Sequence, residues 1–367
     1  MNNLFEPLTL KHGKTMSNRF ALAPMTTYAG NEDLTLSVEE EIYYNSRAKE
    51  FGMIITAACA VSKNAQAFER QISIRDVRYL DSMKRLANAI TKEGSLAILQ
   101  LHHGGRMNQV GLYPNQDIVS ASAVPANRAG APTPRALRIS EIYDVIDEFA
   151  NATKLAIQAG FDGIELHGAN TYLIQQFFSP HSNRREDIFG GSLDKRLRFV
   201  LLLVQKVLDV KHTYGRPDFV IGYRLSPEEL EEPGITLEDT LRLVDELANM
   251  DLDYIHLSQG HYNNTSLRDK TDTVPIVHQI RQVVGDRTML IGAGGIHTKE
   301  ESADAIASGY DIVALGTIAL ADPNIITHLK NDEPIRWIMD SESILPHLLL
   351  ERLRKWKGLA DKGYTIR

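Results

Sequence analysis

The chain has 367 residues, of which 43% are hydrophobic and 24% are charged, so it has enough apolar material to bury a large core. Its 40 Lys and Arg against 47 Asp and Glu give a formal net charge of -7, which lacks the basic excess that nucleic-acid binding rewards. The single cysteine, Cys59, excludes a disulfide framework, a cysteine-rich zinc site and an iron–sulfur cluster, since each needs several thiolates.

The N-terminal residues carry neither a basic stretch nor a long apolar run, so secretion is unsupported. The apolar run 51–61 around Cys59 has eleven residues and is far too short to span roughly 30 Å of hydrocarbon. We therefore expect a cytoplasmic protein that acts on a small molecule and binds neither nucleic acid nor a membrane.

Short apolar runs alternate with longer stretches of helical spacing, and this alternation occurs eight times. Each run is about five residues long, which is typical of a strand. Strand–helix alternation requires parallel strands, and eight such units fit a closed barrel better than an open sheet. The sequence therefore predicts an α/β fold, a single-domain (β/α)8 TIM barrel with strands at residues 20–23, 53–57, 96–101, 163–167, 219–225, 254–258, 289–293 and 312–316.

Two predicted helix starts carry a capping-box pattern. In this pattern the hydroxyl of the first residue accepts a hydrogen bond from a free backbone N–H of the helix. A carboxylate three residues later accepts a hydrogen bond from the backbone N–H of that first residue. The pairs are Ser37 with Glu40 and Thr298 with Glu301. Apolar residues at three- and four-residue steps also predict a helix over 140–160 with one face against the sheet.

Two segments depart from the repeat. Residues 104–139 are too long for an ordinary connection, which is typical of a lid or a binding loop, and they contain Pro114, Pro125, Pro132 and Pro134. The charged tail 331–367 has leucines at helical spacing, namely Leu345, Leu348, Leu349 and Leu353. We expect residues 1–335 to form the barrel and 336–367 a C-terminal helical extension, packed either on the barrel or on a neighbouring subunit of a homo-oligomer.

In such a barrel, catalytic groups come from the carboxyl ends of the strands and the loops that follow. The glycine-rich ends of the last two predicted strands favour a phosphate bound by backbone N–H groups, and they contain Ala293, Gly294, Gly316 and Thr317. Plain turn residues are the alternative for either cluster alone. A Rossmann site fits less well, because His297 stands where the third glycine belongs.

The end of the fourth strand carries three polar side chains. If its loop makes a helical turn, His167 and Asn170 share a face, and their N–H groups converge on one oxygen and polarise a carbonyl. Tyr172 offers a phenolic proton to another part of the same ligand. Each residue taken alone has an ordinary structural explanation. Adjacent His102 and His103 point to opposite faces of a strand, so we expect no metal site there.

Two other predicted strands end in polar side chains, one with a cationic side chain and one with an amide. Arg224 and Gln100 suit a planar, electron-accepting heterocycle, because a guanidinium stabilises a ring that gains negative charge, and a carboxamide both donates and accepts at an imide edge. Salt bridges or hydrogen bonds within the barrel explain either residue alone equally well.

Several motifs occur in a fixed order along the chain. They are Pro24-Met25-Thr26, Gln100, His103, Gly105-Arg106, residues 159–170, residues 176–180, Asn183, Arg185, Asp187, residues 189–192, Arg196 and Arg198-Phe199. Together they resemble the old yellow enzyme family of FMN-dependent ene-reductases, over roughly residues 4–329.

The resemblance implies that residues 1–335 hold FMN noncovalently at the barrel mouth and that NADH or NADPH supplies hydride. The implied activity is reduction of activated C=C bonds of α,β-unsaturated carbonyl compounds by a ping-pong mechanism. The FMN-binding residues would be Pro24, Met25, Thr26, Ala58, Gln100, Arg224, Ala293, Gly294, Gly316 and Thr317. Tyr28, His167 and Asn170 would bind substrate, the latter two at its carbonyl oxygen, and Tyr172 would donate the proton.

Two other functions are compatible with the sequence. A flavin-binding redox sensor would keep the cofactor without physiological ene-reduction, although the combined presence of His167, Asn170 and Tyr172 argues against it. A cofactor-free barrel lyase would give a colourless purified protein.

Thr317 stands where the family commonly has an arginine, so one cation that would neutralise the phosphate is missing. Backbone amides and the Thr317 hydroxyl then carry the phosphate, or another cation reaches in, and we expect FMN binding that is weaker but retained. Thr317→Arg should lower the Kd for FMN roughly tenfold, as expected for one added charge-assisted hydrogen bond. Titration of the apoprotein with FMN measures this Kd, and an unchanged value would contradict the explanation.

Overall fold

The barrel predicted from the sequence is present. A computed structural model describes residues 2–109, 111–112, 117–214 and 216–367. Eight parallel strands close into a barrel in which the last strand pairs with the first. The strands are β1 (Phe20–Leu22), β2 (Met53–Ile55), β3 (Leu96–His102), β4 (Gly163–Gly168), β5 (Val220–Leu225), β6 (Tyr254–Ser258), β7 (Met289–Ala293) and β8 (Ile312–Leu315). The (β/α)8 prediction is confirmed, and the strand ends differ from it by at most two residues.

Helices connect the strands around the outside of the barrel and continue after it. They are α1 (Val38–Ala48), α2 (Leu80–Thr91), α3 (Ile139–Ala159), α4 (Leu173–Phe178), α5 (Leu193–Thr213), α6 (Leu237–Ala248), α7 (Ile276–Val284), α8 (Lys299–Ala307), α9 (Thr317–Ala321), α10 (Ile325–Asn331) and α11 (His347–Lys355). Within the described ranges, no helix combines the length and apolar character needed to cross a lipid bilayer.

The barrel interior changes from apolar to polar along the strands. Its apolar floor is an interior cluster that includes Ala21, Met53, Ile98, Val220, Tyr254, Ile291 and Ile312. The Tyr254 ring fits because Gly222 faces it, since a Cβ at Gly222 would lie 2.1 Å from a ring carbon. Nearer the carboxyl ends of the strands, the inward-facing side chains are Gln100, Glu165, Arg224 and His256. The barrel therefore has a mainly apolar floor and a polar mouth.

The two predicted capping boxes have different outcomes. At α8 the box is complete, because the Glu301 amide donates to Thr298 Oγ1 and the Glu301 carboxylate accepts from the Thr298 amide. At α1 only half of it forms, since Ser37 Oγ accepts from the Glu40 amide. The Glu40 carboxylate instead turns into the core, where the Thr27 hydroxyl donates to it at 2.6 Å. That half of the prediction is wrong because Thr27 offers a buried partner.

The long connection 104–139 contains short regular pieces. Strands Val119–Ser120 and Arg135–Ala136 pair in parallel, while Pro114 lies outside the described residues. Arg185, from the segment between α4 and α5, donates to two main-chain carbonyl oxygens of the connection at 2.8 and 2.6 Å. These bonds fasten the connection to the segment that follows β4.

The residues after the barrel pack on it through a buried arginine. Arg47 of α1 has no exposed surface, and its guanidinium lies 4.1 Å from the centre of the Tyr43 ring. It donates to the carbonyl oxygens of Ser343 at 2.8 Å and Ala319 at 3.0 Å. A single charged side chain therefore joins α1, α9 and the start of the C-terminal segment.

Arg47→Met should destabilise the fold and loosen the C-terminal segment. We expect the free energy of unfolding to fall by about 2–4 kcal/mol, because buried carbonyl oxygens lose a charged donor. Urea denaturation measures the loss, and limited proteolysis should cut first within residues 340–367. Arg78→Met is the control, since Arg78 lies at the surface beside Asp76 and its loss should leave the denaturation midpoint unchanged. Equal midpoints for the two variants would contradict the role of Arg47.

Candidate active site

A cavity of about 80 Å³ opens at the carboxyl ends of the first five strands. Nine residues singled out from the sequence line it together with one that was not, Phe68. The nine are Pro24, Met25, Thr26, Ala58, Gln100, His167, Asn170, Tyr172 and Arg224. The structure thus brings the predicted ring-binding and carbonyl-binding groups to one place.

A second cavity of about 410 Å³ adjoins the first and shares Met25 and Thr26 with it. Its other lining residues are Tyr28, Thr317, Leu320, Leu349, Arg352, Leu353 and Trp356. It lies between the mouth of the barrel and α11. The predicted phosphate residues Ala293, Gly294 and Gly316 line neither cavity. Gly316 borders them, since a Cβ there would lie 3.6 Å from Met25 Sδ.

His167 presents an N–H group to the first cavity. Its Nδ1 accepts the amide of Ala169 at 3.4 Å, so the neutral ring carries its proton on Nε2. Burial, with smaller contributions from His102 and Arg224, lowers the pKa of His167 well below its ordinary value. The imidazole is therefore neutral at pH 7 and acts as a hydrogen-bond donor through Nε2.

Asn170 reaches the cavity from an unexpected backbone conformation. The expected helical turn is wrong, because Asn170 and Thr171 have φ of +57° and +67°, in the left-handed region. Hydroxyls on neighbouring strand ends hold this turn: Ser226 Oγ accepts the Asn170 amide, and Ser258 Oγ donates to Asn170 Oδ1, both at 3.0 Å. Because the side-chain oxygen is occupied, the NH2 group of Asn170 is the end left for a ligand.

Contacts with neighbouring rings hold the ring of Tyr172 in place, and its hydroxyl is left without a hydrogen bond to the described residues. The ring makes edge contacts with His102, His167 and Phe68, at centroid distances of 4.3, 5.0 and 5.9 Å. Across the part of the chain that the structure describes, nothing hydrogen-bonds to its hydroxyl. Burial chiefly, and then Tyr28, raises the pKa of Tyr172 to about 12. The phenol therefore stays protonated at neutral pH.

A buried network lies beneath the cavity. Gln100 Nε2 donates to Glu165 Oε1 at 2.7 Å, and His256 Nδ1 lies 2.9 Å from Glu165 Oε2. By contrast, Arg224 lines the cavity without a hydrogen bond to any described residue, and its Nε is buried. Glu165 and His256 were not among the site residues predicted from the sequence. A signal existed for Glu165, because it precedes His167 by two residues and shares its face of the strand.

Phe68, Glu69 and Arg352 were also missed. The Arg352 guanidinium lies 4.0 Å from the centre of the Tyr28 ring and pairs with Glu69 at 2.6 Å. Phe68 contacts Tyr28 edge-on at 6.1 Å. Arg352 lies 283 positions after Glu69, so no local signal marked their contact.

The paired histidines His102 and His103 serve the wall of the barrel. Gln71 Nε2 lies 3.0 Å from His102 Nδ1, and His103 Nδ1 accepts the Gly105 amide at 3.0 Å. Burial lowers the pKa of each to about 3, so both are neutral. Over the ranges that the structure covers, no group of three or more His, Cys, Asp or Glu residues is arranged to hold a metal ion.

Comparison with known proteins decides the family. The sequence model of the NADH:flavin oxidoreductase / NADH oxidase family matches residues 3–335. The chain belongs to this family. It is 43% identical over 327 residues to the probable NADH-dependent flavin oxidoreductase YqiG of Bacillus subtilis, covering 89% of this chain and 87% of that protein. It is 38% identical over 341 residues to NADH:fumarate oxidoreductase of Klebsiella pneumoniae, covering 92% of this chain but only 37% of that protein.

Solved structures agree with this membership. Morphinone reductase in complex with tetrahydroNAD is 28% identical, with a TM-score of 0.78 over 93% of this chain and 94% of that one. The old yellow enzyme homologue from Zymomonas mobilis has a TM-score of 0.79 at 24% identity, over 94% of this chain and 96% of that one, and shows the shared barrel fold. The chain is thus an oxidoreductase of the old yellow enzyme type, as its motifs predicted.

The residues at the mouth fit FMN, the cofactor of the family. The unpaired Arg224 guanidinium on the cavity wall suits a ring that gains negative charge on reduction. At Gly294, φ is +111° and a Cβ would lie 2.4 Å from the Gln259 carbonyl oxygen, so the backbone after β7 takes this path only with glycine. A second guanidinium, Arg352, lines the same cavity as Thr317, although Glu69 already pairs with it.

Gly294→Ala should weaken FMN binding in this flavin oxidoreductase. Strain at φ +111° and the clash with Gln259 would displace the backbone, and we expect the Kd for FMN to rise roughly tenfold or more. The flavin-to-protein absorbance ratio and an FMN titration measure the loss. Gly13→Ala is the matched control, because it has φ +93° and open space around it. If both variants retained FMN equally, the backbone at residue 294 would not be part of the binding site.

Proposed function

We propose that this oxidoreductase reduces activated C=C bonds of α,β-unsaturated carbonyl compounds with NADH or NADPH as hydride donor, by a ping-pong mechanism. The observation that carries the proposal is the convergence of His167, Asn170 and Tyr172 on one cavity. Two N–H donors suit a carbonyl oxygen, and a phenol suits a carbon that must gain a proton. The name of the Klebsiella pneumoniae relative, NADH:fumarate oxidoreductase, supports an alkene conjugated to a carboxyl or carbonyl group.

The pair His167 and Asn170 would bind the carbonyl oxygen. Nε2–H of the neutral imidazole and the NH2 group of Asn170 are the ends that the protein leaves free. Both would strengthen their hydrogen bonds as negative charge develops on the oxygen of the enolate. A neutral imidazole has no readily lost proton, so a different group must protonate the carbon.

Tyr172 would supply that proton to Cα of the substrate. Its pKa of about 12 keeps the phenol protonated, and its hydroxyl is free to face a ligand in the cavity. A positioned general acid of this kind contributes about 10²–10⁴ in rate. The contacts of its ring with His102 and His167 hold the donor beside the carbonyl-binding pair.

Bound FMN supplies the hydride chemistry that connects the two half-reactions. Toward it, Gln100 and Arg224 would hold the pyrimidine side. Pro24, Met25, Thr26 and Ala58 would line the ring, and the phosphate would meet Ala293, Gly294, Gly316 and Thr317. Tyr28, which contacts Phe68 on the cavity wall, would bind the outer part of the substrate. The nicotinamide and the alkene would occupy one cavity in turn, which is why the kinetics would be ping-pong.

Tyr172→Phe separates the half-reactions. Anaerobic NADH or NADPH should bleach the flavin absorbance at a near wild-type rate, because no proton donor is needed in that step. Addition of cyclohexenone should restore the colour about 10²–10⁴ times more slowly than in the wild type. Stopped-flow absorbance measures both rates.

Tyr143→Phe controls for loss of a phenol outside the site, since Tyr143 is 44% exposed on α3. It should leave both rates unchanged. Equal slowing of the two half-reactions in Tyr172→Phe would contradict its role as proton donor. A wild-type protein that never regains colour with cyclohexenone would contradict the proposed function itself.

A further inference from the structure

The polar layer of the barrel contains a carboxylate that lines neither cavity. Glu165 has no exposed surface, and both of its oxygens are engaged, one by Gln100 and the other by His256. Strand register explains the meeting, because Gln100 lies opposite Glu165 on the neighbouring strand. A buried carboxylate without an arginine or lysine in hydrogen-bond contact is costly and needs an explanation.

The two hydrogen bonds determine which atoms face the cavity. Since a carboxylate only accepts, Gln100 must present its NH2 group to Glu165, which leaves Oε1 as the end available to a ligand. By the same reasoning, Nδ1 of His256 carries the proton and donates. The other ring nitrogen, Nε2, is buried and has no partner among the described residues.

The network also balances charge at the cavity wall. Register places Glu165 opposite Gly222 and His167 opposite Arg224, so the carboxylate and the guanidinium are diagonal neighbours. Burial opposes ionisation of Glu165, but His256, Arg224 and Gln100 hold its pKa below the ordinary value. Burial lowers the pKa of His256 and keeps it neutral. The layer therefore has one negative and one positive charge.

We propose that Glu165, held by His256, is a positioning residue for the cofactor: it turns Gln100 so that Oε1 faces the cavity, and its charge opposes that of Arg224. An acceptor beside a cation matches a ring edge that has an imide N–H next to a carbonyl. The opposing charge makes Arg224 a weaker stabiliser of a reduced, negatively charged ring, which keeps the flavin a stronger hydride donor. The inference rests on the proposed placement of Gln100 and Arg224 at the pyrimidine side of FMN.

Glu165→Gln tests both parts because it removes the charge and keeps the size. We expect reduced FMN to gain about tenfold in binding relative to oxidised FMN, a positive shift of about 30 mV for a two-electron couple. The Kd for oxidised FMN should rise several-fold, because a carboxamide at position 165 has one acceptor oxygen where the carboxylate has two, so Gln100 and His256 compete for it and the Gln100 amide is held less firmly. Photoreduction against a reference dye measures the potential without any substrate turnover.

Glu228→Gln is the matched control for net charge. Glu228 is also a buried carboxylate, but it accepts from the Ser266 hydroxyl and the Leu267 amide in the loops beyond β5 and β6, and it lines neither cavity. It should leave the flavin potential and the Kd unchanged. If Glu165 had a purely structural role, Glu165→Gln would lower the thermal stability without making the flavin potential more positive.

Two substitutions at His256 test the same inference if the Glu165→Gln protein does not fold. His256→Leu removes one of the donors that hold the carboxylate, so the potential should rise in the same direction but by less. His256→Asn, whose amide N–H can replace Nδ1–H, should restore the wild-type value. An unchanged or lower potential in both Glu165→Gln and His256→Leu would overturn the inference, as would an equal shift in Glu228→Gln. If the wild-type protein did not turn over cyclohexenone, the proposed function would be refuted. The flavin potentials of the variants would still test the role of Glu165.

Discussion

The site depends on one constraint, which is that the barrel wall engages one end of several polar side chains and so decides which end is left for a ligand. A buried donor or acceptor left without a partner costs about 1–3 kcal/mol. Below the mouth the interior is lined mainly by apolar side chains, which have no such cost. At the mouth, Gln100, Glu165 and His256 reduce this cost by pairing with one another, and all three are buried.

This constraint decides which end of each side chain remains available. The Ala169 amide and the Ser258 hydroxyl donate to acceptors on His167 and Asn170, so these two residues keep their donors. Glu165 instead takes the donor of Gln100 and leaves its acceptor. The cavity therefore offers two donors, from His167 and Asn170, together with the acceptor of Gln100 and the Arg224 cation. These two sets complement different chemical groups, a carbonyl oxygen and the imide edge of a heterocycle, which is what an enzyme holding a cofactor and a substrate in one cavity requires.

Hydrophobic period and strand order were enough to predict the barrel and the ring of residues at its mouth, because parallel strands end at one edge whatever their exact register. Partners within the polar layer could not be predicted this way. Glu165 and His256 are 91 positions apart, and their pairing depends on the registers of β4, β5 and β6 together. The capping role predicted for the Glu40 carboxylate was wrong for a related reason. A local capping pattern cannot reveal that Thr27 competes for this carboxylate inside the core. Local signals thus predict elements, while tertiary hydrogen bonds decide what their side chains do.

The segment after the barrel shapes the cavity from outside it. Arg352 of α11 lies over the Tyr28 ring and pairs with Glu69, the neighbour of Phe68, and Phe68 touches both Tyr28 and Tyr172. The Arg352–Glu69 pair is about half exposed on each side, at 45% and 53%, so it contributes little free energy by itself. Attachment of the segment must therefore come from apolar burial along α11 and from Arg47, whose guanidinium is fully buried. It follows that a substitution at Arg47 alters the packing of Tyr28 and Phe68 on the cavity wall by loosening the C-terminal segment. Arg47 does this without a direct contact to any group proposed to act on substrate.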